Sequence, residues 1–183
     1  MRITAIVSGV VLFTGLMGVS SINGSAKVTK SIEPTKILEE SAQCLALNMY
    51  YEARNQGTAG ILAVSAVVLN RVNDKRFPST ICGVVKQGPT RPSWKDKSVR
   101  FPIKNRCQFS WYCDGKSDNP KNKKQFSEFL EISTAILTGE LAFIDITDGA
   151  LFYHADYVTP GWAKTKQRTI EIEDHIFYTW RVK

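Results

Sequence analysis

The stretch "NMYYEARNQGTAGILAVSAVVLNRV", residues 48–72, decides the fold because it joins two apolar segments through one short polar break. Helical periodicity from Ile37 to Arg54 predicts a first helix, which the polar residues 55–57 end. Thr58 is placed to cap a second helix, which is apolar on nearly every side. A helix that is apolar all round is central, so both helices are expected to form the core.

Glu52 is the one acidic residue in this stretch, and it shares a helical stripe with Leu45 and Met49. It therefore faces protein or a cleft. Desolvation there would raise its pKa and keep it protonated near neutral pH, as a general acid requires. The alternative is a buried ion pair with Arg71 or Arg54, which would lock the helices and carry no chemistry.

The 183-residue length favours one domain with a tail. Residues 1–26 have a cationic start, an apolar run and small residues at the end, which is the layout of a cleaved secretory signal. An uncleaved membrane anchor is the alternative. Residues 27–40 are expected to be an N-terminal tail, and residues 41–183, starting at a capping Ser41, the folded domain. Export to the periplasm, cell wall or medium is expected.

The four cysteines favour disulfides in an oxidising compartment. They are Cys44, Cys82, Cys107 and Cys113, which allow three connectivities, and the sequence does not choose among these. The alternative is a zinc site, but the chain lacks paired C-x2-C spacing and holds two histidines. No metal and no cofactor is therefore expected.

The net charge of +7 suits an anionic polymer such as the bacterial wall or an acidic membrane surface, with nucleic acid as the generic alternative. Many of the cations fall in residues 88–106, a stretch rich in proline and basic residues with one acid, Asp96. It is interpreted as a solvated loop, and contact with the wall is the alternative interpretation.

The last third of the chain changes character. An amphipathic helix is predicted over 123–138 with Gly139 as its stop. "ALFYHA", residues 150–155, is a strand candidate, and "RTIEIEDHIFYTW", residues 168–180, alternates as two strands around Glu173 and Asp174. Helices first and a small antiparallel sheet later predict an α+β fold.

Several polar and aromatic residues are of the kinds that line sugar sites, where rings pack on flat sugar faces and amides bond to hydroxyl or acetamido groups. They are Gln108, Ser110, Trp111, Tyr153 and His154. Core packing is the alternative for each aromatic residue.

Six motifs occur in the order seen in the SleB-like cell wall hydrolases, which include spore-cortex-lytic enzymes. They are "YYEAR", "AVVLNRV", "FPSTICGVV", "CQFSWYCDG", "ALFYHADYV" and "RTIEIEDHIFY". The chain resembles this family over about residues 42–180. The resemblance implies a lysozyme-like catalytic domain. The basic segment 88–106 is longer than the family pattern leads us to expect.

The resemblance implies cleavage of peptidoglycan glycan strands between MurNAc and GlcNAc, commonly as a lytic transglycosylase that leaves 1,6-anhydro-MurNAc. It makes Glu52 the acid/base and places Gln108, Ser110 and Tyr153 in the cleft. The expected partner is the glycan strand, with no nucleic acid, and membrane contact only through an uncleaved N-terminal segment. The protein is expected to be a monomer.

Four alternatives stay open. A hydrolytic muramidase would need a second carboxylate, for which Asp114, Asp148 and Asp156 are candidates. An amidase would need zinc, with His154, Asp156 and His175 as the available ligands. A non-enzymatic wall-binding protein would release no product, and a secreted nucleic-acid binder would show steep salt dependence.

Overall fold

The computed structural model describes residues 34–181, so the signal or anchor expected at residues 1–26 lies outside the described residues. The helices are α1 (Pro34–Ala53), α2 (Thr58–Asn73), α3 (Ile81–Val85) and α4 (Lys123–Thr138). The strands are β1 (Thr90–Pro92), β2 (Arg100–Pro102), β3 (Phe152–Ala155), β4 (Lys166–Ile172) and β5 (His175–Trp180). Two short 3₁₀ helices cover Ser110–Cys113 and Gly161–Thr165. Within this part of the chain, no helix has the length and apolar character to cross a membrane.

The ends of two helices test the sequence predictions. α1 begins at Pro34, ahead of the predicted Ile37, so it includes residues expected to belong to the tail. Proline suits the first turn of a helix because the N–H it lacks has no helical partner there. For α4 the prediction is confirmed: Gly139 adopts a left-handed φ of 79° and ends the helix.

The helices pack around α1, whose buried face carries Leu45 and Met49 at 0% exposure. α2 contributes Val68 to this core, and α4 contributes Phe129. Burying each such side chain fully stabilises the fold by roughly 1.5–3 kcal/mol. The expectation of a helical core is confirmed.

All four cysteines form disulfides, as predicted. Cys44 pairs with Cys82 and fastens α1 to α3. Cys107 pairs with Cys113 and closes a short loop that contains Gln108 and Ser110. The sequence left this pairing open among three connectivities.

Residues 88–106 were expected to be an irregular loop, and that prediction is wrong in part, because β1 and β2 pair there as an antiparallel hairpin. Each strand has three residues and each contains a proline, Pro92 or Pro102. Strands this short show no clear alternation, so periodicity could not detect them.

β3, β5 and β4 form an antiparallel sheet in that order. Tyr153 of β3 pairs with Phe177 of β5. Phe177 is fully buried and packs in one cluster with Ala63 and Val67 of α2, which docks the sheet on that helix. The predicted strands and the α+β class are confirmed.

Candidate active site

Glu52 lies in the last turn of α1, where the helix meets the sheet. Its side chain is half-buried, and Tyr153 of β3 donates a hydrogen bond from Oη to Oε2 over 2.9 Å. The helix supplies the carboxyl and the strand supplies its hydrogen-bond donor. The site therefore exists only when the two parts of the fold are docked.

The surroundings of Glu52 favour its protonated form. Burial raises the pKa of Glu52, and the Tyr153 hydrogen bond and the positive charge of Arg71 offset this increase in part. Burial and the nearby Glu52 charge raise the pKa of Tyr153 well above its ordinary value. Tyr153 thus stays a hydrogen-bond donor, while Glu52 can hold a proton at higher pH than an exposed glutamate.

Arg71 of α2 is buried beneath this pair, with 1% of its surface exposed. Its Nε donates to the carbonyl oxygen of Leu151 over 2.7 Å. Its guanidinium lies 5.2–5.7 Å from the ring centres of three phenylalanines, Phe77, Phe109 and Phe152. Burial lowers the pKa of Arg71 to about 10, so the residue remains a cation at neutral pH.

The helix-locking ion pair that was the alternative role for Glu52 is not formed. Across residues 34–181, the ion pairs within 4.0 Å involve other carboxylates: Glu40, Asp74, Asp114 and Glu171. Arg54 instead lies over the ring of Tyr50, 5.2 Å from its centre. Glu52 is thus influenced by Arg71 at longer range, without a direct salt bridge.

Three pockets are lined by Glu52 or by residues next to it in the chain or in contact with it. The Glu52 pocket, of about 240 Å³, is lined by Tyr51, Glu52, Arg54, Asn55, Gln56, Ala155, Tyr157, Asp174 and His175. The Trp111 pocket, of about 680 Å³, shares Tyr51 and Arg54 with it. The Trp162 pocket, of about 400 Å³, is lined by Arg71, Gln108, Phe152, Tyr153, His154, Val158, Pro160, Trp162 and Lys166. The Glu52–Tyr153 pair therefore contributes to two of these pockets, one residue to each.

Most of the predicted sugar-contacting residues reach these pockets. Gln108 and His154 line the Trp162 pocket. Trp111 lines the pocket named after it, but the residue is only 8% exposed, and its ring stacks on Tyr51 with centres 4.7 Å apart. Tyr51 rather than Trp111 therefore offers the more accessible ring. Ser110 is exposed and lines none of these three pockets.

Among the residues that line the Glu52 pocket, Asp174 was expected only as a turn residue and His175 only as a possible zinc ligand. Asp174 accepts a hydrogen bond from Gln56 Nε2 over 2.8 Å. His175 is 7% exposed and packs edge-on against Tyr153, with ring centres 5.0 Å apart. Burial lowers the pKa of His175. Because the turn was predicted at Glu173 and Asp174, pairing the flanking strands with "ALFYHA" could have brought this turn near Tyr153.

The three predicted second carboxylates lie outside the Glu52 pocket. Asp114 lines the Trp111 pocket and pairs with Lys116 over 3.5 Å. Asp156 is exposed. Asp148 is an exposed turn residue with a φ of 57°. Besides Glu52, the carboxylate that lines this pocket is Asp174.

The ligand set considered for zinc does not converge. No group of three or more His, Cys, Asp or Glu side chains within the described residues is arranged to hold a metal. Both ring nitrogens of His154 are engaged, with Nδ1 2.9 Å from the Ala155 carbonyl oxygen and Nε2 2.9 Å from Tyr178 Oη. A zinc site built on His154, Asp156 and His175 is therefore not supported.

The turn between β4 and β5 holds the N-terminus of α2 beside the site. Glu173 accepts hydrogen bonds from the backbone N–H groups of Gly57, over 2.6 Å, and Gly60, over 3.0 Å. The prediction that Thr58 caps α2 is wrong, because Gly57 occupies the cap position and the capping carboxylate comes from Glu173. A carboxylate at a helix N-terminus satisfies free N–H groups and complements the helix dipole.

Comparison with known proteins supports a family assignment. A profile described as Cell Wall Hydrolase matches residues 55–178, which begin just after Glu52. The spore cortex-lytic enzyme of Oceanobacillus iheyensis is 28% identical over 145 residues, which are 79% of this chain and 43% of that protein. The spore cortex-lytic enzyme of Bacillus cereus is 27% identical over 145 residues, which are 79% of this chain and 46% of that protein. This chain thus spans less than half the length of these curated relatives.

Solved structures agree with this assignment. The catalytic domain of the Bacillus cereus SleB protein superposes with a TM-score of 0.53 at 25% identity, covering 77% of this chain and 91% of that one. The catalytic domain of the germination-specific lytic transglycosylase SleB from Bacillus anthracis gives a TM-score of 0.53 at 26% identity, covering 76% and 93%. The resemblance found in the sequence is confirmed, and the chain belongs to the cell wall hydrolase family.

Proposed function

We propose that this protein cleaves peptidoglycan glycan strands between MurNAc and GlcNAc as a lytic transglycosylase, with Glu52 as the acid and base. The observation that carries the proposal is the half-buried Glu52 carboxyl, which accepts one hydrogen bond from Tyr153. Burial raises its pKa, as a general acid requires. Relatives named as spore cortex-lytic enzymes and as a lytic transglycosylase support the reaction class.

The first step breaks the glycosidic bond. Neutral Glu52 donates its proton to the glycosidic oxygen while the bond from that oxygen to the anomeric carbon of MurNAc breaks. The leaving GlcNAc gains a hydroxyl group, and positive charge develops on the MurNAc ring. Proton transfer of this kind contributes a factor of roughly 10²–10⁴ to the rate. The remainder must come from positioning and charge stabilisation.

The second step closes the sugar on itself. The Glu52 carboxylate removes the proton from the C6 hydroxyl of MurNAc as that oxygen bonds to the anomeric carbon. The product is 1,6-anhydro-MurNAc, no water is consumed, and Glu52 recovers its proton. Between the steps, the Tyr153 hydrogen bond and the Arg71 charge stabilise the carboxylate, since both favour the ionised form of Glu52.

Hydrolysis is the second candidate reaction, and one observation favours it. Asp174 lines the same pocket as Glu52, so a second carboxylate borders the cavity at the acid. There it could activate a water molecule, which would attack the anomeric carbon and leave a reducing end. The two reactions differ in product and not in the role of Glu52.

Product analysis on purified sacculi tests both the reaction and the residue. We expect the wild type to release anhydromuropeptides, and Glu52→Gln to be slower by a factor of about 10²–10⁴. Glu128→Gln is the matched control, because Glu128 is exposed on α4 and lines none of the three pockets. Reducing-end products would favour hydrolysis, and released stem peptides would favour an amidase. Digestion by Glu52→Gln at the wild-type rate would refute the assignment.

Thermal unfolding shows whether the Glu52→Gln variant is folded, and its pH dependence has a defined sign. Because the folded state raises the pKa of Glu52, the stabilising contribution of its proton is complete below the unfolded pKa and is lost as the pH rises through the folded pKa. Glutamine stays neutral throughout. We therefore expect equal melting temperatures near about pH 4 and a higher one for Glu52→Gln near about pH 8.

A further inference from the structure

The basic segment, residues 88–106, forms an arm that is exposed on both faces. All three residues of β1 are exposed, as are Arg100 and Phe101 of β2. Because successive side chains of a strand point to opposite faces, exposure of consecutive residues means that neither face of these two strands is covered there, whereas Ser93 next to β1 is buried. The arm therefore contributes little to the core, and packing does not explain why it carries large apolar side chains.

The arm is nevertheless held in one conformation. Ile103 N–H donates to the Pro89 carbonyl oxygen over 2.9 Å, and Ser93 N–H donates to Val99 over 2.8 Å. At the tip, Asp96 accepts hydrogen bonds from the backbone and the hydroxyl of Ser98. These bonds connect the two strands from base to tip, so the side chains at the tip project from a hydrogen-bonded hairpin backbone.

The arm exposes large apolar side chains among cations. Trp94 is 80% exposed, Phe101 47% and Val99 44%. Six cations accompany them against one acid, Asp96: Arg91, Lys95, Lys97, Arg100, Lys104 and Arg106. Clustered exposed apolar groups mark interaction sites more often than they serve folding.

We propose that this arm docks the protein onto an anionic lipid surface. Indole rings favour the boundary between headgroups and acyl chains, and each lysine or arginine nearby adds attraction to anionic headgroups. Trp94, Val99 and Phe101 supply the apolar contact, and the surrounding cations supply the charge complementarity. This goes beyond membrane contact through the N-terminal segment and is independent of the proposed glycan cleavage.

Two other occupants fit the arm less well. A sugar strand would leave the exposed Val99 and Phe101 without an apolar partner, and Lys95 Nζ, 5.1 Å from the Trp94 ring centre, leaves one face of that ring for stacking. A second copy adding a strand needs free backbone donors, and Pro92 and Pro102 remove one from each strand.

Tryptophan quenching by brominated anionic vesicles tests the docking. All four tryptophans lie outside residues 1–33, so quenching does not report insertion of that N-terminal segment. We expect brominated phosphatidylglycerol vesicles to quench the wild type, and Trp94→Phe to lose at least about half of that quenching. No quenching of the wild type, or equal quenching of Trp94→Phe, would overturn the proposal.

Two double charge-reversal variants show whether binding depends on the cations of the arm or only on the net charge of the protein. Lys95→Glu with Lys97→Glu changes the net charge as much as Lys123→Glu with Lys124→Glu, two exposed lysines at the start of α4. We expect the arm variant to need at least about tenfold more anionic lipid for half-maximal quenching, and the α4 variant less than about threefold more. Equal losses would refute a specific role for the arm.

The same variants distinguish a lipid surface from an anionic wall polymer. If the arm variant loses binding to purified sacculi while wild-type quenching by vesicles is absent, the arm binds the wall and the lipid proposal fails. If the arm variant no longer binds vesicles but still releases product from detergent-treated sacculi, the result supports membrane docking by the arm and leaves the proposed cleavage unaffected. Vesicle quenching therefore reports failure of the docking proposal, and product release reports failure of the cleavage proposal.

Discussion

The seam between the helices and the sheet differs from the arm in how its contacts are made. The seam consists of the contacts of Glu52, Gly57, Gly60 and Arg71 with residues 151–177, all separated by many positions in the chain. The arm is held by bonds between near neighbours, such as Asp96 and Ser98. Substitutions in the seam should therefore affect folding and chemistry, whereas those in the arm should affect binding alone.

The electrostatics differ in the same way. In the seam, Glu52 is shielded from water, so individual neighbours change its pKa: Tyr153 and Arg71 each lower it. In the arm, the charges face water, where salt screens interactions beyond about 10 Å at 0.1 M. A single charge in the seam therefore changes the pKa of Glu52, whereas the charges of the arm attract an anionic surface through their sum.

The largest expected difference is in the free energy of unfolding, when one phenylalanine of each region is replaced by alanine. Phe177→Ala removes a side chain with 0% exposure from the cluster between α2 and the sheet, and should lower the free energy of unfolding by about 3–5 kcal/mol. Phe101→Ala in the arm should change it by less than about 1 kcal/mol, since Phe101 is 47% exposed. Urea denaturation of both variants measures this, and similar losses would remove the distinction between seam and arm.

The Glu173 cap gives an intermediate effect. Glu173→Ala leaves the Gly57 and Gly60 N–H groups without their carboxylate and should cost about 0.5–2 kcal/mol. Thr58→Ala tests the cap first expected from the sequence and should cost less than about 0.5 kcal/mol, because no side-chain cap bond is made at the helix start. A larger loss for Thr58→Ala than for Glu173→Ala would show that the cap is assigned incorrectly.

The smallest structural change is the removal of one hydroxyl. Tyr153→Phe deletes the bond to Glu52, and because that bond favours the carboxylate, its loss should raise the pKa of Glu52 further. The acid then keeps its proton to higher pH, so the fall of activity on the alkaline side should move upward. The pH dependence of kcat measures this, with Tyr112→Phe as the control outside the described pockets. A downward movement would contradict the assigned role of the hydroxyl.

Features set by near neighbours could be predicted from the sequence. The α4 helix with its Gly139 end and the two strands around Glu173 and Asp174 follow from periodicity and turn residues. Glu52 stood out as a candidate because a lone acid on an apolar stripe is visible without a structure, and the family resemblance supplied its predicted role as acid and base. Tyr153 was selected as well, although its bond to Glu52 could not be predicted.

Features set across long separations could not be predicted. Strand pairing alone could have brought the Glu173–Asp174 turn near Tyr153, but the cap from Glu173 and the contact of Asp174 and His175 with the Glu52 pocket depend on how the sheet docks on α2. The disulfide pairing depends on α1 lying against α3. The β1–β2 hairpin is a different case, since its prolines and short strands conceal it from pattern analysis.

The contact of Glu173 with Gly57 and Gly60 constrains how this chain can vary. A methyl group added at either glycine would lie 2.8 Å from a Glu173 carboxylate oxygen. At Gly60 the added methyl group would also lie 2.7 Å from Gln56 Cβ, so a shorter residue 173 would not make room for it. Positions 57 and 173 should therefore change together across relatives, with a larger residue at position 57 accompanied by a shorter side chain at position 173. The same dependence limits engineering: a β4–β5 turn transplanted from a relative would have to bring its matching α1–α2 junction with it.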